Sequence, residues 1–214
     1  MTLAGGTLVL RTAHQNEDEF NGLKGILKIV DKLSVTKDAT TPYAFAENGE
    51  LGRILFAGTK LTELNVEDIT GTDDADLTFG QLLLDGASDT QRIGFRKTGD
   101  GTLILDNQNN TLTGDIVIDG GALRVGAGKE VYGYNTLGSH TTRDRTITVN
   151  DGGVLHFPHR FQLGSVGNYE NQPIRTAVRV CTGGKLVQGT NDGGRGVNVY
   201  GDLWLDGGTF ESAA

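Results

Sequence analysis

The 214-residue chain has a formal net charge of −8, 33 glycines, 3 prolines and a single cysteine. Glycine is about twice its usual ~7 % share but follows no G-X-Y period, which excludes collagen and a Pro/Gly-rich linker. The acidic balance excludes a general nucleic-acid binder, lone Cys181 excludes a disulfide framework or thiolate zinc site, and no run nears the ~18 apolar residues of a membrane helix.

The opening MTLAGGTLVLRT has neither a basic n-region nor a long apolar core, so no export signal is visible within the chain. GGTLVL at 5–10 is a glycine pair followed by alternation, the pattern of a short strand. FNGLKGILKIVDKLSV at 20–35 fits a strand or a short helix, and 61–86 mixes alternation with an acidic loop. Residues 1–107 hold 17 acids against 10 bases, so the negative charge is almost all N-terminal. Residues 1–96 are expected to form irregular coils or a cap, and 97–214 regular coils.

From residue 97 a unit recurs: alternation, a polar step, two glycines and a second alternation. It reads DIVIDGGALRV at 115–125, TITVNDGGVLHF at 146–157, AVRVCTGGKLVQ at 177–188 and DLWLDGGTFES at 202–212. The glycine pairs are Gly120–Gly121, Gly152–Gly153, Gly183–Gly184 and Gly207–Gly208, spaced by 32, 31 and 24 residues. LGS at 137–139 and 163–165 opens the stretch before the next pair. Asp-Gly corners favour hairpins, but a meander would repeat every ~10 residues. Helical signals are nearly absent, so βαβ crossovers are not expected either. A parallel coil stacking on itself fits the period better than an antiparallel sandwich or barrel. At ~24–30 residues a coil, the chain makes ~7–9 coils and a rod ~35–45 Å long. Met1 opening onto GGTLVL, and a stop at FESAA in mid-unit, read as an excised piece of a longer array.

One segment is more distinctive, KTGDGTLILDNQNNTLTGDIVIDGGALRVG at 97–126. Its Lys97, Gly99, Gly101, Thr102, Leu103 and Leu105 are followed by Asn110, Thr111, Thr113 and Gly114, then Ile116, Ile118, Gly121 and Leu123. This resembles the passenger-associated (autotransporter-associated) β-strand repeat of large bacterial surface proteins. Leu112 stands where that pattern has an aromatic, and the loop before Asn110 is one residue longer. The resemblance implies a right-handed parallel β-helix in the exported passenger of an autotransporter. Such a passenger is displayed at, or released from, a Gram-negative outer membrane. A cysteine-poor chain suits transit across the periplasm unfolded, since disulfides would obstruct it.

Sites were weighed against plainer roles. Glu63, Glu67, Asp68, Asp73, Asp74 and Asp76 offer oxygens for Ca²⁺, but at neither EF-hand nor GGxGxD spacing, and a solvated loop is the simpler expectation. His156 and His159 flank Pro158 without a third ligand, and His14 and His140 lie in polar loops. Asp119, Asp151 and Asp206 occupy similar corners, where a stacked ladder of carboxyls would suit glycoside hydrolysis, but Asp before Gly is turn chemistry and that is the simpler expectation. Cys181 ends an apolar strand and is expected to be buried and inert. GGRG at 193–196 lacks the Lys-Ser/Thr and helix of a phosphate loop. Trp204, Tyr132, Tyr134, Tyr169 and Tyr200 are scattered aromatics that either fill coil corners or stack on sugars.

The expectation is a non-catalytic structural or adhesive segment without a cofactor or metal. It meets glycans or host and neighbouring cell surfaces, or acts as a stalk, and associates end to end. No nucleic-acid partner or membrane insertion is expected. The alternatives are a carbohydrate-active β-helix lyase or hydrolase and a self-assembling β-solenoid filament.

Overall fold

The computed structural model describes residues 1–3, 7–10, 26–38, 41–47, 53–85, 92–107, 109–126, 136–138, 145–158, 161–163, 176–189, 197–199 and 201–212. Among them the fold is all-β, with no helix. In chain order the strands begin β1 (Thr2–Leu3), β2 (Thr7–Leu10), β3 (Ile26–Ile29), β4 (Lys32–Val35), β5 (Tyr43–Glu47), β6 (Arg53–Phe56) and β7 (Thr62–Val66). They continue β8 (Ala75–Phe79), β9 (Leu82–Asp85), β10 (Phe95–Thr98), β11 (Thr102–Leu105), β12 (Ile116–Ile118), β13 (Gly121–Val125) and β14 (Arg145–Val149). The last are β15 (Gly153–Phe157), β16 (Phe161–Leu163), β17 (Thr176–Cys181), β18 (Lys185–Gln188), β19 (Val197–Val199), β20 (Leu203–Asp206) and β21 (Thr209–Ser212).

They stack as a parallel β-solenoid. The first face is an eight-stranded sheet in the order β1-β4-β7-β10-β12-β14-β17-β20, and the second runs β2-β5-β8-β11-β13-β15-β18-β21. A third face is shorter, with β3-β6-β9 near one end and β16-β19 near the other. Paired strands begin between 19 residues (β11 to β13) and 36 residues (β2 to β5) apart, so the glycine-pair period is the length of one rung. Eight strands per sheet give a stack ~34 Å long at ~4.8 Å per step. The described part of 20–35 is strand, with β3 and β4 joined by a turn. Pairing runs through residue 96, where β7 and β8 hydrogen-bond to β10 and β11.

Alternation dictates the core. In β7, β14 and β15 every second residue is buried, because successive side chains point to opposite faces of a strand. Parallel register then aligns the inward residues into columns. One runs Leu64, Lys97, Ile118, Val149, Val180 and Leu205. Another runs Leu77, Leu103, Leu123, Leu155, Leu186 and Phe210. Most of these side chains are wholly buried, and Phe56 meets Phe95 with ring centres 5.9 Å apart and the rings tilted by 54°. A lysine stands in the first column.

Candidate functional site

Lys97 takes an inward position on β10 between Leu64 and Ile118, and it is fully buried. A buried ammonium needs every proton accepted. Its Nζ runs along the interior to the corner and donates to the carbonyls of Thr98 (3.0 Å), Gly99 (2.7 Å) and Gly120 (3.0 Å). The last belongs to the next rung, so Lys97 pins two corners together. Burial lowers its pKa to about 7, with Asp100 and Asp76 pulling the other way.

The glycines beside it follow from close approach. Gly99 has φ +77°, and a Cβ there would lie 2.4 Å from the Val66 carbonyl oxygen of the rung before. At Gly101 a Cβ would lie 2.6 Å from both the Glu67 carbonyl oxygen and Oδ2 of Asp76. That carboxylate is fully buried at a register slip, where Ala75 pairs Thr102 but Leu77 pairs Leu103. The slip turns Asp76 inward, and it accepts from the backbone N–H groups of Ile69 (2.7 Å), Thr70 (2.9 Å) and Thr102 (2.7 Å).

A second brace replaces strands missing from the third face. Between β9 and β16 no described strand lies there. Instead Asn110, fully buried, accepts from Leu83 N–H through Oδ1 (2.8 Å) and donates from Nδ2 to the Thr136 carbonyl (2.7 Å). Thr111 N–H continues the ladder to the Leu83 carbonyl (2.9 Å). Asp85 accepts from Thr113 N–H (2.6 Å), Thr113 Oγ1 (2.6 Å) and Gly114 N–H (3.1 Å). Buried Arg145 donates to the Leu137 carbonyl. Burial lowers its pKa to about 10, against the opposing pull of Asp115 and Asp85. Leu112 is fully buried in the aliphatic core.

The glycine pairs form the corners between the first two faces. Gly152, Gly183 and Gly207 have φ of +73°, +79° and +80°. In the first pair the left-handed residue is instead Gly121, φ +58°. Gly121 aligns with Gly153, because that corner is one residue shorter. At Gly120, Gly153, Gly184 and Gly208 a Cβ would press on the preceding rung.

The three corner carboxyls do not stack in a ladder, in line with the turn chemistry expected of them. Extending the register puts Asp119, Asn150, Cys181 and Asp206 in one outward row, with Asp151 a residue further on. Asp119 and Asp206 are three rungs apart, ~14 Å at the strand spacing, beyond the ~5–9.5 Å of a hydrolytic pair. Asp119 pairs with Arg96 and accepts from Asn150 Nδ2 (2.6 Å), while Asp206 pairs with Arg179. Cys181 faces outward and is half-exposed, not buried in the core, since it falls on the outward phase of β17.

The acidic stretch is divided between roles. Glu63 pairs with Lys32 (2.8 Å), and Glu67 accepts from Lys37 N–H (2.7 Å). Asp68 accepts from Gly71 N–H (2.7 Å), and Asp74 from Thr72 Oγ1 (3.0 Å). Asp76 departs from the solvated-loop expectation altogether. Among the described residues no three His, Cys, Asp or Glu side chains are grouped to hold a metal. His156 is aligned with Arg124, and burial followed by Arg124 lowers its pKa, with Asp73 opposing. Trp204 is exposed on the outer face. His14, His140, His159, Tyr132, Tyr134, Tyr169, Tyr200, GGRG at 193–196 and LGS at 163–165 lie outside the described residues, save Leu163 of the last.

Sequence reasoning missed Asp85 and Arg145, and named Asp76 only as part of an acidic loop rather than as a buried brace. A signal for Asp76 was the acid interrupting an otherwise alternating strand. Asp85 before glycine looked like an ordinary turn, and nothing set Arg145 apart.

Fold and site together define a parallel β-solenoid whose repeat carries its own internal polar braces. The passenger-associated-transport-repeat family model matches residues 95–125, the segment holding Lys97 with its three carbonyl partners, and Asn110. The resemblance seen in the sequence therefore holds for this segment. No curated protein and no solved structure matches the chain.

Proposed function

We propose that this chain is a structural and adhesive length of an exported bacterial surface protein, passenger-like and non-catalytic. The observation that carries the reading is the use made of the repeat's polar residues. The side chains of Lys97 and Asn110 bind backbone groups of their own and neighbouring rungs, so the motif builds scaffold. The match of residues 95–125 to a passenger-associated transport repeat supports an exported setting. Contact with glycans or cell surfaces falls to the outer faces. There a shallow groove of about 280 Å³ is lined by Lys37, Asn65, Glu67, Gly99 and Asp100, polar groups suited to sugar hydroxyls.

The test is binding of the purified chain to a glycan array and to intact cells, beside a longer polypeptide with more rungs. Retention of glycans by the chain, weakened by Lys37→Ala or Asp100→Ala, supports adhesion. Binding by the longer polypeptide alone assigns this segment to a stalk. Turnover of a polysaccharide by the chain would overturn the non-catalytic reading.

A further inference from the structure

We propose that Arg124 and His156, side by side on the outer side of the second face, bind the carboxylate or sulfate group of an acidic glycan. The site shares no residue with the groove at Lys37, and it rests on the reading of the outer faces as glycan-binding. Parallel register builds it. Arg124 of β13 is aligned with His156 of β15, with Ile104 one rung before and Val187 one rung after. Arg124 and His156 both fall on the outward phase, between inward neighbours that are buried, and both are half-buried themselves. Neighbouring strands are ~4.8 Å apart, a separation at which one anion can accept from a guanidinium and an imidazole together.

The charge balance around Arg124 sets it apart. The other outward cations described on β10 to β18 each hold an acid: Arg96 with Asp119, Arg179 with Asp206, and Lys185 with Glu211. Arg124 makes no ion pair or hydrogen bond to the described residues, although its Nε is shut off from solvent. A desolvated donor on a cation is costly to leave unmatched. The outward positions around the pair are Ile104, Ala122, Val154 and Val187, and none carries an acid. Asp73 is exposed and draws His156 towards protonation, while burial and Arg124 oppose it. Lys185, diagonal to His156, is already neutralised by Glu211. The missing partner is therefore an anion from outside. A planar guanidinium suits the paired oxygens of a carboxylate or sulfate, and protonated His156 supplies a second charged donor. A neutral hydroxyl would leave both charges uncompensated.

Calorimetric titration of the 214-residue chain with an oligogalacturonate, a sulfated dextran oligosaccharide and a neutral dextran oligosaccharide tests this. The acidic sugars should bind more tightly than the neutral one, and the tighter of the two identifies the group. The bound anion should raise the His156 midpoint seen by NMR by about one unit, making affinity up to about tenfold higher at pH 5.5 than at 7.5. Arg124→Gln should weaken binding at both pH values on the order of tenfold or more. His156→Gln should remove the pH dependence and leave affinity at pH 7.5 within about twofold. Arg179→Gln, at a cation already paired, should change nothing. Circular dichroism of each variant separates lost binding from lost fold. Equal affinity for acidic and neutral sugars, or acidic binding that survives in folded Arg124→Gln, would overturn the site and leave glycan contact standing. Failure of both acidic sugars also overturns it, and neutral glycans on the array then decide whether the wider reading falls too.

Discussion

The corner at 97–121 and the corner at 203–212 share glycine-turn chemistry, yet their flanks are held by opposite means. In the first, polar groups are buried and each serves several backbone partners: Lys97 holds three carbonyls and Asp76 three N–H groups. In the second, the polar groups are exposed ion pairs, Arg179 with Asp206 and Lys185 with Glu211. A buried polar group is costly to leave unmatched, so its partners are strongly specified. An exposed pair is screened by water and specifies little. The matched repeat is thus a part of the solenoid where buried partners fix the register.

The sharpest way to break this contrast is to remove one acid from each corner. Asp76→Ala leaves three N–H groups without an acceptor and should cost about 3–5 kcal/mol. Asp206→Ala should cost about 0.5 kcal/mol or less. Urea midpoints of the two variants give the comparison directly, and equal losses would end it.

Asn110 is next. Asn110→Ala frees Leu83 N–H and the Thr136 carbonyl inside the core, a loss of about 2–4 kcal/mol. Asn110→Asp keeps the acceptor but sets a carboxylate against that carbonyl, so it should be no better tolerated. Hydrogen exchange at Leu83 N–H reports the same event locally, and unchanged protection in Asn110→Ala would show that the ladder holds without the side chain.

These residues also show what was legible beforehand. Parallel stacking, the rung period and the corner glycines could be read because alternation and paired glycines are local patterns that repeat. The role of Asn110 was marked only through its place in a recognisable repeat. Asp76 and Arg145 were hidden because burial of a charge depends on which strand lies above, and a one-residue slip decides it. The carboxyl row failed for the same reason: Asp151 misses it by one position, and Asn150 and Cys181 occupy the rungs between.

Lys97 sharpens the contrast through pH. Its pKa is about 7 in the folded protein against an ordinary 10.5. Between those values the unfolded chain binds more protons than the folded one, so stability rises with pH across the window. Below about 7 both states are protonated and this dependence ends. Lys97→Met should flatten the rise in urea midpoint between pH 7 and 10 and lower the midpoint throughout, because the buried carbonyls of Thr98, Gly99 and Gly120 lose the nitrogen they share. A slope that survives the substitution would assign it to other groups.

The smallest effects belong to the outer surface. Lys185 and Glu211 lie 2.9 Å apart with side chains 48 % and 45 % exposed, so water screens their attraction and holding both side chains costs entropy. Lys185→Ala should shift stability by no more than about 0.5 kcal/mol, and 0.5 M salt should remove what remains.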